Sequence, residues 1–322
     1  MKKAKLFIMA AGVATVFAFT GCSSGSAANN LGRMIDGGTT GKGYNNNTSY
    51  YNGRRYGTDG TGFSVEYGLY GEDGTVQGLF ELAGLPYVGC GVLSSAVCMD
   101  KAVANTLLDA AGVPRCEWTW ASRRECQADP AALADRVSGK LGWPVFVKPA
   151  NAGSSVGITK AHDRAELKDA IRLALENDHK VVFEAFVDGH EVECAVIGSD
   201  PAVATRPGEI LAGAEFYTYD DKYKNGVSQV VIPARLDEAK LDEVKTYAAM
   251  AYTALNCEGL ARCDFFVEHG TNRVMINEIN TFPGFTAISM YPKLMEHEGL
   301  PVPQLIDRLI ALAVERTEKQ HG

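Results

Sequence analysis

The sequence predicts an α+β protein, and three observations carry that reading. From about Tyr67 to the C-terminus, strand and helix candidates alternate irregularly, without the strict strand–helix repeat of a parallel sheet. Two pairs of strand candidates are joined by connections short enough for antiparallel pairing. The most regular pair, Ala261–Glu268 and Val274–Asn280, flanks a His269–Asn272 turn that holds both a Gly and an Asn.

Composition sets the outer limits. At 322 residues the chain is long enough for two or three domains, and 46% hydrophobic with 22% charged residues is the balance of a globular protein. A net charge of −8, with no local Lys/Arg cluster against it, argues against a nucleic-acid partner. The eight cysteines form no CxxC pair and have no His at zinc spacing. Cys90, Cys98, Cys194 and Cys257 sit in apolar runs, so buried free thiols in a reducing compartment are expected.

Residues 1–22 read as a signal-peptide and lipobox-like leader. Lys2, Lys3 and Lys5 precede the apolar run Leu6–Phe19, which is short for a membrane span, and Ala18–Cys22 (AFTGC) would make Cys22 an acylated N-terminus. A buried first strand or helix is the alternative. Residues 23–66, dense in Gly, Asn, Ser, Thr and Tyr, bury too little apolar surface to offset ordering entropy and read as a disordered linker.

Residues 67–100 begin the compact part. Gly71-Glu72-Asp73-Gly74 opens an amphipathic helix, followed by a short apolar strand and a polar turn. Asp129 and Pro130 start a helix whose Leu133, Val137 and Leu141 share a face. Asp163 with Glu166 makes an Asp version of the capping box ahead of Leu167, Ile171 and Leu175. Asp237 opens a longer helix carrying Leu241, Val244, Ala248 and Leu255. Strand candidates are Val145–Lys148, Val156–Thr159, Val181–Phe186, Val192–Ile197 and Gln229–Pro233.

Four stretches carry candidate chemistry. In PVFVKPANAGSSVGI (Pro144–Ile158) a strand delivers Lys148 to a small-residue loop whose backbone N–H groups can approach phosphate oxygens. The same loop matches G-x-S-x-G, so a serine hydrolase and a plain hairpin turn both stand beside it; a nucleophile elbow needs a helix at the serine, and Val156–Thr159 looks extended. Glu184–Val187 ends a strand ahead of Asp188-Gly189-His190-Glu191, a place for a base and a ribose or a surface turn. Glu215–Tyr223 (EFYTYDDKY) is a mobile lid or a short buried strand. In Ala261–Asn280 the period of two puts Arg262 and Asp264 on one face, and Glu278 with Asn280 on one face. Those oxygens suit Mg²⁺, and a solvated hairpin face is the alternative.

Together these residues resemble the D-alanine–D-alanine ligase family of the ATP-grasp superfamily, from about Tyr67 to the C-terminus. The resemblance rests on GEDGTVQG, Cys98-Met99-Asp100-Lys101, VKPANAGSSVG, Glu184–Val187, Asp221–Tyr223, Arg262-Cys263-Asp264 and NEINTFPGFTAISMYP, in that order. It implies an ATP-grasp fold, two α+β subdomains gripping ATP, over residues 101–322. Residues 67–100 would be a remnant of the preceding domain.

The implied activity is ATP-dependent joining of two D-alanines through an acyl phosphate, for peptidoglycan synthesis in the cytoplasm. Alternatives are a D-alanine–D-serine ligase, another ATP-grasp carboxylate–amine ligase, and an inactive exported lipoprotein carrying a ligase-derived domain. Lys101 and Lys148 would contact ATP phosphates, under a loop holding Ser154, Ser155 and Val156. Glu184 and Val187 would meet adenine, and Glu191 the ribose. Asp264, Glu278 and Asn280 would hold two Mg²⁺ ions, with Mn²⁺ a substitute. Arg262 and the Gly284 backbone would stabilise the tetrahedral intermediate. Ser289 and Met290 would bind the second D-alanine, and Lys222 and Tyr223 would close the lid. Tyr223 favours an amino acid over D-lactate as second substrate.

Family members tend to homodimers and carry an N-terminal Rossmann-like domain with a glutamate for the first D-alanine. Here the leader and linker stand in that place, Tyr67-Gly68 replaces the family's His-Gly, and impaired activity is the expectation.

Overall fold

A computed structural model describes residues 48–51, 54–57, 70–153, 156–211 and 229–321. The leader, most of the predicted linker, Ser154, Ser155 and the lid stretch Glu215–Tyr223 lie outside the described residues. Inside the linker, β1 (Thr48–Tyr51) and β2 (Arg54–Gly57) pair antiparallel. Thr and Tyr are strand formers, and their local density outweighs the polar composition around them.

Two sheets organise the remainder, and their ladders are antiparallel throughout, as the irregular alternation predicts. The smaller sheet has the order β3–β6–β4–β5: Trp118–Ser122, Lys180–Ala185, Val145–Pro149 and Thr159–Ala161. Its apolar face, with Val145, Val147, Val181 and Phe183 fully buried, packs on Leu133 and Val137 of one helix and Leu167 and Ile171 of another. Four helices come earlier in the chain: α1 (Thr75–Leu82), α2 (Val92–Met99) and α3 (Lys101–Ala110), of which α2 and α3 give Cys98, Ala104 and Leu108 to the core of the larger sheet, and α4 (Arg123–Ala128), which adds Cys126 to the core of the smaller one. The two packed on the sheet are α5 (Pro130–Leu141) and α6 (Arg164–Asn177).

The larger sheet runs β10–β9–β7–β11–β12, with β8 also on β7. These are Gln229–Val231, Gly208–Leu211, Gly189–Gly198, Gly259–Glu268 and Val274–Asn280, and Ala202–Ala204 for β8. Alternation along β7 turns Val192, Cys194 and Val196 toward α7 (Glu238–Ala254), which brings Leu241, Val244 and Ala248 to them. Ala195 and Ile197 point the other way, under α8 (Met290–His297) and α9 (Val302–His321). Those helices cover the apolar end of this second face. Its other end carries Glu191, Glu193, Arg262 and Asp264, and this polar end is where the smaller sheet approaches.

Asp129, Asp163 and Asp237 all cap helices as predicted, Asp129 and Asp163 each accepting two backbone N–H groups of the first turn and Asp237 one. The predicted capping box is half formed, because Glu166 accepts from His162 N at 2.8 Å rather than from Asp163 N. Two strand expectations are corrected. Val156 is exposed in a turn and β5 starts only at Thr159, since Gly157 takes a left-handed φ of +71°. The predicted strand and polar turn before Lys101 are instead a bridge at Tyr87 and helix α2, in which Ser94 and Ser95 hydroxyls donate back to Gly91 O and Cys90 O. The expected free thiols are there: Cys90, Cys98, Cys194 and Cys257 are buried and unbridged.

Behind the larger sheet, Glu209 is buried on β9. Its carboxylate takes Arg235 Nε and Nη2, both at 2.8 Å, and lies 2.7 Å from His190 Nδ1. Burial pushes the Glu209 carboxyl up, but the hydrogen bonds from Arg235 and His190 outweigh it and leave its pKa at about 2. A folded-state pKa below the unfolded value adds stability that is present at neutral pH and lost as pH falls toward 2. The gap is worth roughly 3 kcal/mol at pH 7. Glu209→Gln is therefore expected to lower urea stability by about 2–3 kcal/mol at pH 7, and by about half that at pH 3. A deficit unchanged between the two pH values in urea titrations would count against this assignment.

Candidate functional site

The site lies between the two sheets, and β11 and β12 form its floor. The ladder pairs Arg262 with Asn280 and Asp264 with Glu278. It also sets Asp264 beside Glu193 of β7. The two polar faces expected from alternation therefore do coincide. Arg262 donates from Nε to Asp264 Oδ1 at 2.7 Å and from Nη2 to Oδ2 at 2.6 Å. Its Nε also lies 2.9 Å from Glu193 Oε2, and Asn280 Nδ2 donates to Asp264 Oδ2 at 2.9 Å.

A bulge completes the floor. The register steps from Asp264–Glu278 to Phe265–Ile276, so Asn277 has no partner of its own on β11. The bulge lets Ile276 and Ile279, three apart, both enter the core under α7. Asn277 turns with Glu278 toward the cleft, where its Oδ1 accepts from Lys148 Nζ at 3.4 Å.

The roof comes from the smaller sheet. Lys148 of β4 and Glu184 of β6, 9% and 4% exposed, pair at 2.5 Å. Glu184 also accepts from Asn105 Nδ2 at 3.2 Å and lies 3.7 Å from Arg115 Nη2. Burial alone would lower the Lys148 ammonium, yet Glu184 holds it above its ordinary value. Burial likewise pushes Glu184 up, and Lys148 and Arg115 bring it below the usual carboxylate range. Glu184 is thus a fixed anion locked to a fixed cation.

Lys101 enters from the side as the first residue of α3. Asp100 caps that helix and pairs with Lys180 at 2.6 Å, while Lys101 Nζ donates to Ala152 O at 2.8 Å. Burial lowers the Lys101 ammonium, and the negative charges of Glu278, Glu184 and Glu72 act against that while Lys148 adds to it. Lys101, Lys148, Glu184 and Glu278 therefore share one electrostatic neighbourhood, with the buried Glu72 of the GEDG stretch at its edge.

Other expected residues lie around this centre. Glu191 is half-buried on β7, opposite Phe266, and Val187 follows β6. Val156 is exposed at the end of the small-residue loop. A Cβ at Gly284 would sit 2.9 Å from Ser289 Oγ, so a side chain there would have to displace the Ser289 hydroxyl. Ser289 leads into α8 without capping it; its Oγ accepts from Thr286 N at 3.0 Å instead. The Met290 side chain is in the core, which leaves its backbone as the part that can meet a ligand. Lys222 and Tyr223, like Ser154 and Ser155, lie outside the described residues.

Sequence reasoning missed Glu193, Asn277, Asn105 and Arg115. Glu193 was visible in the alternation of β7, and Asn277 in the three-residue step from Ile276 to Ile279. Nothing local marks Asn105 or Arg115.

The donor set fits a hard divalent cation, being carboxylate and amide oxygens without sulfur or imidazole. Among the described residues no three His, Cys, Asp or Glu side chains cluster for metal binding. Asp264, Glu278 and Asn280 would therefore need substrate oxygens to complete a coordination shell. No helix among the described residues is long and apolar enough to cross a membrane.

Comparison with known proteins bears on this arrangement. Residues 107–311 match the family model "D-ala D-ala ligase C-terminus". The chain is 54% identical over 254 residues to a D-alanine–D-alanine ligase of Acetivibrio thermocellus, covering 79% of this chain and 68% of that protein. It is 50% identical over 258 residues to one from Caldicellulosiruptor bescii, covering 80% and 71%. Among solved structures, the D-alanine–D-alanine ligase from Coxiella burnetii is 31% identical with a TM-score of 0.71, covering 95% of this chain and 84% of that one. The VanG D-Ala:D-Ser ligase from Enterococcus faecalis is 41% identical with a TM-score of 0.69, covering 76% and 70%.

Proposed function

The chain belongs to the D-alanine–D-alanine ligase family of ATP-grasp enzymes, and from that membership we propose that it joins two D-alanines using ATP, as a step of peptidoglycan synthesis. The observation that supports this most directly is the cross-strand pairing of Asp264 with Glu278 beneath the Lys148–Asn277 contact. That arrangement sets two carboxylates and a pair of ammonium groups on either side of one cleft, the charge pattern a polyphosphate and its cation require.

In this reading Lys148 and Lys101 hold ATP phosphates, with Glu191 at the ribose and Glu184 and Val187 at the adenine. Asp264, Glu278 and Asn280 hold two Mg²⁺ ions, which when bound neutralise phosphate charge. The carboxylate of the first D-alanine attacks the γ-phosphorus, giving an acyl phosphate and ADP. The amine of the second D-alanine then attacks the acyl carbon, and phosphate leaves as the amide bond forms. Arg262 and the Gly284 backbone face the oxygen that becomes negative in that second step. Ser289 Oγ and the Met290 N–H orient the second substrate. Ser154, Ser155, Lys222 and Tyr223 are assigned to the cover that keeps water from the acyl phosphate. Residues 101–322 constitute the ATP-grasp unit, residues 67–100 the part preceding it, and the substrates place the activity in the cytoplasm.

A second reading, D-serine as the second substrate, draws on the likeness to the VanG D-Ala:D-Ser ligase. One assay addresses both: phosphate release from ATP and Mg²⁺ with D-alanine alone, and with D-alanine plus D-serine. Release with D-alanine alone is expected, and a mixed product dominating by mass would move the assignment to D-serine. Phosphate release at background would favour an inactive protein bearing a ligase-derived domain.

A further inference from the structure

Arg115 is one of the most enclosed charged side chains among the described residues, with its side chain 4% exposed, and the reaction described above gives it no part. It spans the cleft. Its backbone bridges to Ile276 of β12, one residue before the bulged Asn277, and Ile276 N donates to Pro114 O at 2.8 Å. Its guanidinium reaches the opposite sheet, lying 3.7 Å from Glu184 Oε1 and 4.7 Å from the centre of the Trp118 ring. Trp118 is itself fixed by donating to Asp109 Oδ2 at 2.8 Å. Arg115 Nε and Nη1 are buried without a hydrogen-bond partner, although Asp109 Oδ1 lies 3.8 Å from Nη1.

Glu184 therefore faces two cations rather than one. With Lys148 as its sole partner, the pair would be a closed neutral unit, and the ammonium would have little attraction left for phosphate. A second positive charge on the same carboxylate leaves these three buried groups net positive, because Asp109, the other carboxylate near Arg115, is half exposed and screened by solvent, and the surplus is expressed at the cleft. We propose that Arg115 is a positioning residue for ATP, acting through Glu184 to keep the Lys148 ammonium available to phosphate oxygens. This rests on the ligase reading, and it adds a residue outside the ligand-contacting set.

The test measures KM for ATP, KM for D-alanine and kcat for the full chain, Arg115→Met and Arg115→Lys, with equilibrium dialysis of ATP beside them. Arg115→Met is expected to raise KM and the dialysis Kd for ATP about tenfold, as loss of one nearby charge does, while KM for D-alanine stays within about twofold. Arg115→Lys should recover part of the loss. In a Glu184→Gln background, Arg115→Met should change ATP affinity no further, because the carboxylate through which it acts is gone. Unchanged ATP affinity in Arg115→Met overturns the proposal, as do additive losses in the double variant. If Arg115→Met does not fold, Arg115→Lys alone and in the Glu184→Gln background gives the same comparison. Should the unaltered chain bind ATP but release no phosphate with D-alanine, the ligase reading fails while the dialysis series still judges Arg115.

Discussion

Replacing Glu278 with alanine is expected to reduce ATP turnover by at least about a thousandfold, a loss of roughly 4 kcal/mol of transition-state stabilisation. The size follows from where the carboxylate sits. Glu278 pairs across the ladder with Asp264, whose own oxygens already receive Arg262 and Asn280. Removing Glu278 leaves on that floor only Asp264, heavily hydrogen-bonded, and Glu193, already paired with Arg262, to hold any cation against phosphate. It also removes the negative charge that acts on Lys101 from the floor side. The fold should tolerate the change, because Glu278 is half-buried on the cleft face and the core side of β12 is untouched. A coupled phosphate assay beside a thermal melt checks both halves. Turnover within tenfold of the unaltered chain, at unchanged melting temperature, would show that the cation is held elsewhere.

Glu184→Ala is expected to have the largest effect on stability, about 3–5 kcal/mol, because it strands Lys148 and Arg115 as buried cations without their shared anion. That corresponds to a fall of roughly 10 °C in melting temperature for a protein of this size. The isosteric Glu184→Gln should lose less, since it keeps the hydrogen bond from Lys148 and the packing. The double change Lys148→Met with Glu184→Leu separates stability from function. It replaces the buried ion pair by apolar groups, so it should be more stable than Glu184→Ala, yet stay below the parent because Arg115 still lacks its anion. ATP binding should be lost entirely. If Glu184→Ala melted with the parent, the pair would be too well hydrated to matter, contrary to its burial.

How much of this was legible depends on whether a signal is local. The cleft face of β11 was readable, because Arg262 and Asp264 alternate with Ala261, Cys263 and Phe265, and burial follows that period along the strand. Helix starts at Asp129, Asp163 and Asp237 were readable for the same reason: a cap is a contact between near neighbours. The reach of Glu166 to His162 was not, since the choice between two adjacent N–H groups turns on loop geometry. Val156–Thr159 misled because β-branched residues favour a strand, whereas Gly157 imposes a left-handed turn that periodicity does not register. Ser94 and Ser95 misled in the opposite way, reading as a turn while their hydroxyls bond back along helix α2. The Lys148–Glu184 pair joins two strands far apart in the chain, and Arg115 meets Glu184 only because β12 and β6 face each other. No residue pattern near Arg115 encodes that meeting.

The bulge at Asn277 bears on how such a strand tolerates gain and loss of residues. Without Asn277, the order Val274, Met275, Ile276, Glu278, Ile279, Asn280 alternates between the α7 face and the opposite face, where Met275 is buried and Glu278 and Asn280 line the cleft. An added residue in a strand ordinarily inverts everything downstream of it. Here the surplus residue is absorbed where it stands, so Glu278 and Asn280 keep their side and the cleft gains an amide. A gene losing that codon would still encode a strand in phase, with both carboxylates aligned and the contact to Lys148 gone. Of the single-residue deletions in β12, that is the one the ladder is built to survive.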